Sequence, residues 1–192
     1  MSTSLLELSE SFVITTLKPI IEKLGKAQFG MLRAADAVSA ELWKTRPAPA
    51  RWAAGELIGH VMTVERGVLS AADRAVQSPP RHFPLLRRMH LPVALAESRV
   101  FRVKTPIPLD PTLVQEKEAM LAELREVRER TLAFIDETKG RDLSVYRWPH
   151  PFLGVLSAYQ WMEMIAGHEV RHTKQMREIA ARLPKAAVGL QK

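Results

Sequence analysis

The 192-residue chain has no cysteine. Disulfides, a catalytic thiol and thiolate metal ligands are therefore excluded, and any metal must be held by imidazole, carboxylate or solvent. No stretch approaches the roughly 18 to 20 apolar residues of a membrane span, and the N-terminus lacks a basic segment followed by an apolar run. The expectation is a soluble, cytoplasmic protein that makes no use of a membrane. Aromatic residues are only 6% of the chain, too few among the basic residues to build a stacking platform for nucleic acid. No internal repeat or low-complexity tract divides the chain, so a single domain over 1–192 with a sizeable core is expected.

What is abundant is positive charge, a formal +7 with a pI near 10.0. Arg81, Arg87, Arg88, Arg99, Arg102 and Lys104 stand in one segment against Glu97 alone. Arg171, Lys174, Arg177, Arg182, Lys185 and Lys192 stand near the C-terminus against Glu178. Such clusters form a solvated face or guide an acidic small molecule. Nucleic-acid binding is a minor alternative that rests on charge alone.

The dominant period is helical. Helices are expected over about 10–40, 54–77, 110–138 and 157–183, with no convincing strand, which describes an all-α bundle of up-and-down type. Pro19 fits only near a first turn or at a kink, so the first fifteen residues could form a separate segment. Arg46-Pro47-Ala48-Pro49-Ala50 cannot continue a helix. In the second helix Leu57, Val61, Val64, Val68 and Ala72 form one apolar stripe, and Ile58, Met62 and Leu69 form another. A helix apolar on two sides is internal or carries a subunit interface, so a homodimer is one expectation. The segment from 78 to 109 is Pro-interrupted and basic, with room for a short helix around 83–98 broken near Pro92. Asp110-Pro111 reads as an N-cap and first turn for the third helix, whose wet face takes Glu123, Arg125, Glu126 and Arg128. Trp148-Pro149-His150-Pro151 reads as a loop, and Ser157 with Gln160 as a capping box for the fourth helix.

On that helix stands His168-Glu169-Val170-Arg171-His172, an H-E-x-x-H match that puts two imidazoles on one face. A third ligand is needed, because a catalytic zinc takes three protein donors and leaves one position open. His60 lies inside the main apolar stripe of the second helix, between Leu57 and Val64, whereas His82, His90 and His150 lie in irregular segments suited to surface or substrate-loop roles. His60, His168 and His172 are therefore the candidate ligands, assembled between facing helices of the bundle. A protease is disfavoured. Only twenty residues follow His172, and Gln175 and Glu178 stand where an extended zincin motif has Gly and His. Glu169 is either a general base or a surface carboxylate paired with arginine. Glu56, one turn before His60, either fixes the tautomer of that ligand or caps the helix start. Gln175 continues the ligand face and could orient water, a ligand or a neighbouring helix. Trp161, Met164 and Met176 are most simply core, with a substrate wall as the minority reading.

The ordered set Arg46-Pro47, Trp52, Glu56, His60, then His168-x3-His172-x2-Gln175 resembles the DinB superfamily, including its YfiT-like metal-dependent hydrolases. The resemblance implies a four-helix bundle in which His60, His168 and His172 bind a divalent ion, nickel or zinc, with iron or copper also compatible. It also implies a small-molecule substrate and an enzyme that activates either a low-molecular-weight thiol for S-transfer or a water for hydrolysis. A metal-binding or sensory module without turnover is the alternative. One departure is Ala53, where the family commonly has a serine that caps the second helix.

Overall fold

The computed structural model describes residues 3–84, 89–98 and 114–189, with side chains described over 17–84, 89–98 and 114–183. Four helices form the body: α1 (Thr3–Asp36), α2 (Ala54–Val76), α3 (Lys117–Glu137) and α4 (Ala158–Gly189). The protein is an all-α bundle. A short two-stranded antiparallel hairpin, β1 (Arg147–His150) and β2 (Gly154–Ser157), precedes α4, and a 3-10 turn over Val93–Glu97 packs on α4.

The helices do not simply alternate in direction. Gly55 approaches Val114, Gly59 approaches Met120, Glu65 bonds Arg128 and the Val76 carbonyl accepts from Arg141, so α2 and α3 run parallel. The long connection from Gln77 to Glu116 permits this crossover, and the up-and-down expectation is corrected to up-down-down-up. The core divides along the bundle axis. One cluster joins Leu17–Ala27 of α1 to the far end of α2, the end of α3, the hairpin and the start of α4. The other joins Met31–Val38 to the start of α2, the start of α3 and Met176, Ile179 and Leu183 of α4.

Local sequence explains most of the ends. Ser157 N–H donates to Gln160 Oε1 at 2.9 Å and Gln160 N–H to Ser157 Oγ at 3.4 Å, a capping box for α4. Ala53 has extended backbone at the start of α2 but no side-chain acceptor, so only the reciprocal half forms, Ala53 N–H donating to Glu56 Oε2 at 2.8 Å. Three boundaries differ from expectation. α1 is a single helix through Pro19, where burial of Leu17, Ile20 and Leu24 outweighs the local loss of a donor, and α4 continues through Pro184. Residues 114–116 are not helical and α3 starts at Lys117; the expected Asp110-Pro111 start lies outside the described residues.

The expected loop at Trp148-Pro149-His150 is strand β1, paired with β2 from Arg147↔Ser157 to His150↔Gly154. A proline is tolerated at the edge of so short a sheet. Gly154 has φ of 94°, and a Cβ there would lie 2.7 Å from the Met89 carbonyl, so the turn admits only glycine. The Leu91 N–H to Leu153 carbonyl bond at 2.9 Å ties the hairpin to the segment before the 3-10 turn. In α2, the second apolar stripe is filled from within, with Ile58 and Met62 buried in the core and Leu69 packed against it. It therefore supplies no argument for a dimer.

Candidate metal centre

The two histidine-bearing helices pack antiparallel, α2 contributing His60 and α4 contributing His168 and His172 one turn apart. His60 Nε2 lies 3.1 Å from His168 Nε2, which lies 3.1 Å from His172 Nε2. One nitrogen from each ring falls within 4.8 Å of the other two. Ligands about 2.0–2.1 Å from a tetrahedral zinc sit roughly 3.3 Å apart, so this convergence fits a divalent ion.

Burial prepares the rings for that role. It holds His60 down to about 4 and, with the neighbouring imidazoles and Arg171 adding to the effect, holds His168 well below the usual imidazole value. These two imidazoles are thus neutral at physiological pH, the form that ligates metals. His172 Nδ1 donates to Gln175 Oε1 at 3.1 Å, which leaves the Nε2 lone pair directed at the cluster. Trp52 stacks on His172 with ring centroids 5.9 Å apart and 18° between planes, and tilts against His60 at 5.0 Å. His60 Nδ1 is buried without a partner among the described residues.

Two expected supporting carboxylates are elsewhere. Glu56 caps α2 and takes the Arg46 Nε–H at 3.1 and 2.9 Å, making no bond to His60, so of its two readings the cap is the one observed. Burial pushes Glu56 up, but the Arg46 guanidinium and the Ala53 amide outweigh it and hold the carboxyl below its ordinary range. Glu169 is neither on the surface nor on the cavity wall. It is fully buried, its Oε2 accepts from Arg128 Nη2 at 2.8 Å, and burial pushes it up to about 7 against the pull of that guanidinium. A general-base role for Glu169 has no support in this arrangement.

Arg128, expected on the wet face of α3, is 2% exposed. It donates to Glu65 on α2 at 2.8 and 3.0 Å, to Glu169 on α4 and to the Leu24 carbonyl on α1, so a single side chain from α3 bonds the other three helices. Thr131 completes the network with a 2.8 Å bond to Glu65. A signal existed in the sequence: Arg128 falls on the helical stripe shared by Leu124, Thr131 and Ile135.

The three histidines line a cavity of about 620 Å³. The hairpin adds Trp148, His150, Phe152 and Leu153 to the lining, and Leu95 and Ala96 of the 3-10 turn line it too. Trp148 stacks on Trp161 with centroids 5.3 Å apart and 10° between planes. Trp161 and Met164 line the cavity as well as the core, whereas Met176 is core alone. His82 and His90 stay outside the cavity; His90 reaches Gln160 at 2.6 Å. His150 is drawn in, its Nδ1 accepting the Phe152 and Leu153 amides at 3.1 Å each. Of the basic segment 81–104, residues 85–88 and 99–104 lie outside the described residues.

A helical bundle that converges three imidazoles on the wall of a ligand-sized cavity defines the class: a protein with a candidate divalent-metal centre. The chain belongs to the DinB superfamily, whose profile matches residues 24–176 and so includes all three histidines. It is also 27% identical over 151 residues to the uncharacterized protein YuaE of Bacillus subtilis (strain 168), a match that covers 78% of this chain and 90% of that one. No solved structure matches it. Among the described residues no helix is long and apolar enough to cross a membrane.

Proposed function

We propose that this protein is a metal-dependent enzyme that transfers a group to a low-molecular-weight thiol, with the ion held by His60, His168 and His172. The observation that carries the reading is the convergence of three Nε2 atoms on the wall of an open, mainly apolar cavity. A buried site without substrate access would suit a sensor or a structural metal, whereas an ion held by three ligands beside a cavity keeps a position open. When bound, a divalent ion such as zinc or nickel would favour the ionised form of a thiol or water ligand.

The residues around the histidines favour the thiol over the water. Hydrolysis calls for a base near the activated water, commonly a carboxylate, and among the described residues no aspartate or glutamate lines the cavity. Glu169, the acid nearest in sequence, is committed to Arg128. A bound ion would itself favour the thiolate of a coordinated thiol, so the reaction would ask for no carboxylate base, and the nucleophile would come from outside a chain that has no cysteine of its own. Trp52 packs against His60 and His172, and the cavity of about 620 Å³ leaves room for a second reactant.

The test is metal analysis of wild-type and His168→Ala protein, followed by turnover of an electrophile with a panel of cellular thiols. One divalent ion per wild-type chain, little in the variant and thiol-dependent turnover are expected. Equal metal in both proteins would overturn the centre. Thiol-independent turnover would reassign it to hydrolysis, and metal without turnover would make it a binding module.

A further inference from the structure

The hairpin brings a polar group of fixed protonation to the aromatic part of the cavity wall. His150 lines the cavity, and its Nδ1 accepts the Phe152 and Leu153 amides at 3.1 Å each, so the lone pair on that nitrogen is taken by the turn. Burial holds the ring below the usual imidazole value, which leaves it neutral at physiological pH. A neutral imidazole that accepts at Nδ1 carries its proton on Nε2. That N–H is directed away from the turn, and the described residues give it no hydrogen-bond acceptor. The ring sits among aromatic neighbours, with centroids 5.0 Å from Trp161 and 6.1 Å from Phe152, and Trp148 stacks on Trp161 at 5.3 Å. It is also close enough to His168 for a charge on one ring to disfavour a charge on the other. A volume of about 620 Å³ is in the range of cavities that enclose a drug-sized molecule.

We propose that this cavity takes an apolar, ring-bearing molecule that carries a carbonyl or similar acceptor oxygen, with the body against Trp148, Trp161 and Phe152 and the oxygen accepting from His150 Nε2–H. The body supplies affinity by burial. The N–H supplies selection, because a pure hydrocarbon in the same place would displace water from a donor and leave it unsatisfied. A donor group in place of the acceptor would set N–H against N–H or O–H, a mismatch of the same kind. The turn that occupies Nδ1 thereby acts on substrate choice through the tautomer of the ring. The proposal deepens the function proposed above by naming the substrate class of that site. It rests on that reading for its biological meaning but not for its binding geometry.

The experiment compares 4-phenylbutan-2-one with its hydrocarbon counterpart butylbenzene, using metal-free and zinc-loaded full-length protein. Calorimetry gives the affinities, and infrared difference spectroscopy gives the carbonyl stretch of the bound ketone. In the wild-type protein that stretch should lie at lower frequency than in an apolar solvent, with or without zinc. His150→Asn sets an amide oxygen where Nδ1 stood, so the turn keeps an acceptor while the Nε2 donor is lost. The variant should return the stretch toward its apolar-solvent value and weaken the ketone by about three- to tenfold, the worth of one hydrogen bond, with butylbenzene unchanged. Phe152→Ala, at an exposed position of the lining, should weaken both ligands alike. An unshifted stretch in the wild-type protein, a shift retained in His150→Asn, equal losses for ketone and hydrocarbon in that variant, no loss for either in Phe152→Ala, or a shift seen only with zinc would overturn the proposal. Absence of zinc binding with the shift intact would instead overturn the metal-dependent function and leave this inference standing.

Discussion

Arg128 meets Glu169 in the interior of the bundle, Nη2 donating to Oε2 at 2.8 Å with the two side chains 2% and 0% exposed. Glu169 is the immediate neighbour of His168, and the same guanidinium holds Glu65, five residues beyond His60 on the other histidine helix. The ion pair therefore ties the two helices that must meet at the site. Removing one partner from a buried pair leaves an uncompensated charge, so Arg128→Met should cost about 3–5 kcal/mol in chemical denaturation. Substituting leucine for both Glu65 and Glu169 in that background should recover most of the loss, because an apolar cluster of similar volume replaces the network. If Arg128→Met alone left stability unchanged, the network would not be structural.

Gln175 fixes the tautomer of a candidate ligand, accepting from His172 Nδ1 at 3.1 Å. Partners of this kind orient a ligand ring and raise its basicity, and their loss typically weakens metal affinity by about 10–100-fold. Gln175→Leu should fall in that range in a zinc competition titration, with thermal stability of the metal-free protein little changed. Gln175→Glu should bind at least as tightly as wild type. An unaltered affinity in the leucine variant would remove Gln175 from the site.

These features were unequally legible in the chain. His60 stood out because a polar residue inside an otherwise apolar stripe needs a partner, and the i, i+4 spacing of His168 and His172 placed both on one face. Arg128 and Glu65 carried the same stripe signal, yet charge on a helix surface is so common that Arg128 read as solvated. Glu169 stayed ambiguous for a related reason, since its Arg128 partner is 41 residues away and only packing reveals it. The hairpin was hidden by its own composition: two prolines around His150 argue against a strand, and the pairing that overrides them depends on Gly154 and its contact with the Met89 carbonyl. The parallel course of α2 and α3 could not be read from periodicity, which is blind to helix direction.

The start of α2 lacks an acceptor that most helices have. Ala53 is the N-cap residue, with φ −71° and ψ 163°, and its methyl leaves the amide of Glu56 without a side-chain partner from the cap. Ala53→Ser would complete the capping box that Glu56 already half forms, and should stabilise the protein by about 1 kcal/mol. Ala53 is 1% exposed, so the added hydroxyl must find the Glu56 amide or remain buried unsatisfied. A rise in denaturation midpoint with unchanged zinc stoichiometry is the expected outcome, and a fall would mean that the hydroxyl does not reach the amide.

Glu56 makes the same helix start sensitive to acid. Its carboxyl is held below 4.5, the ordinary value, because the Arg46 guanidinium and the Ala53 amide together outweigh the burial that would raise it. A group whose pKa is depressed on folding contributes stability above its unfolded value, and that contribution is lost as pH falls through the folded one. The unfolded chain binds the proton first, so the window opens near pH 4.5 and extends below it. In Glu56→Gln the Ala53 amide can still donate to the side-chain oxygen, but the charge that attracts Arg46 is gone. The variant should be less stable than wild type at pH 7, and the gap should narrow as pH is lowered below about 4.5. Denaturant titrations of both proteins at several pH values measure that gap. A constant difference across the series would mean that the Glu56 contribution is packing and hydrogen bonding alone, without the ion pair to Arg46.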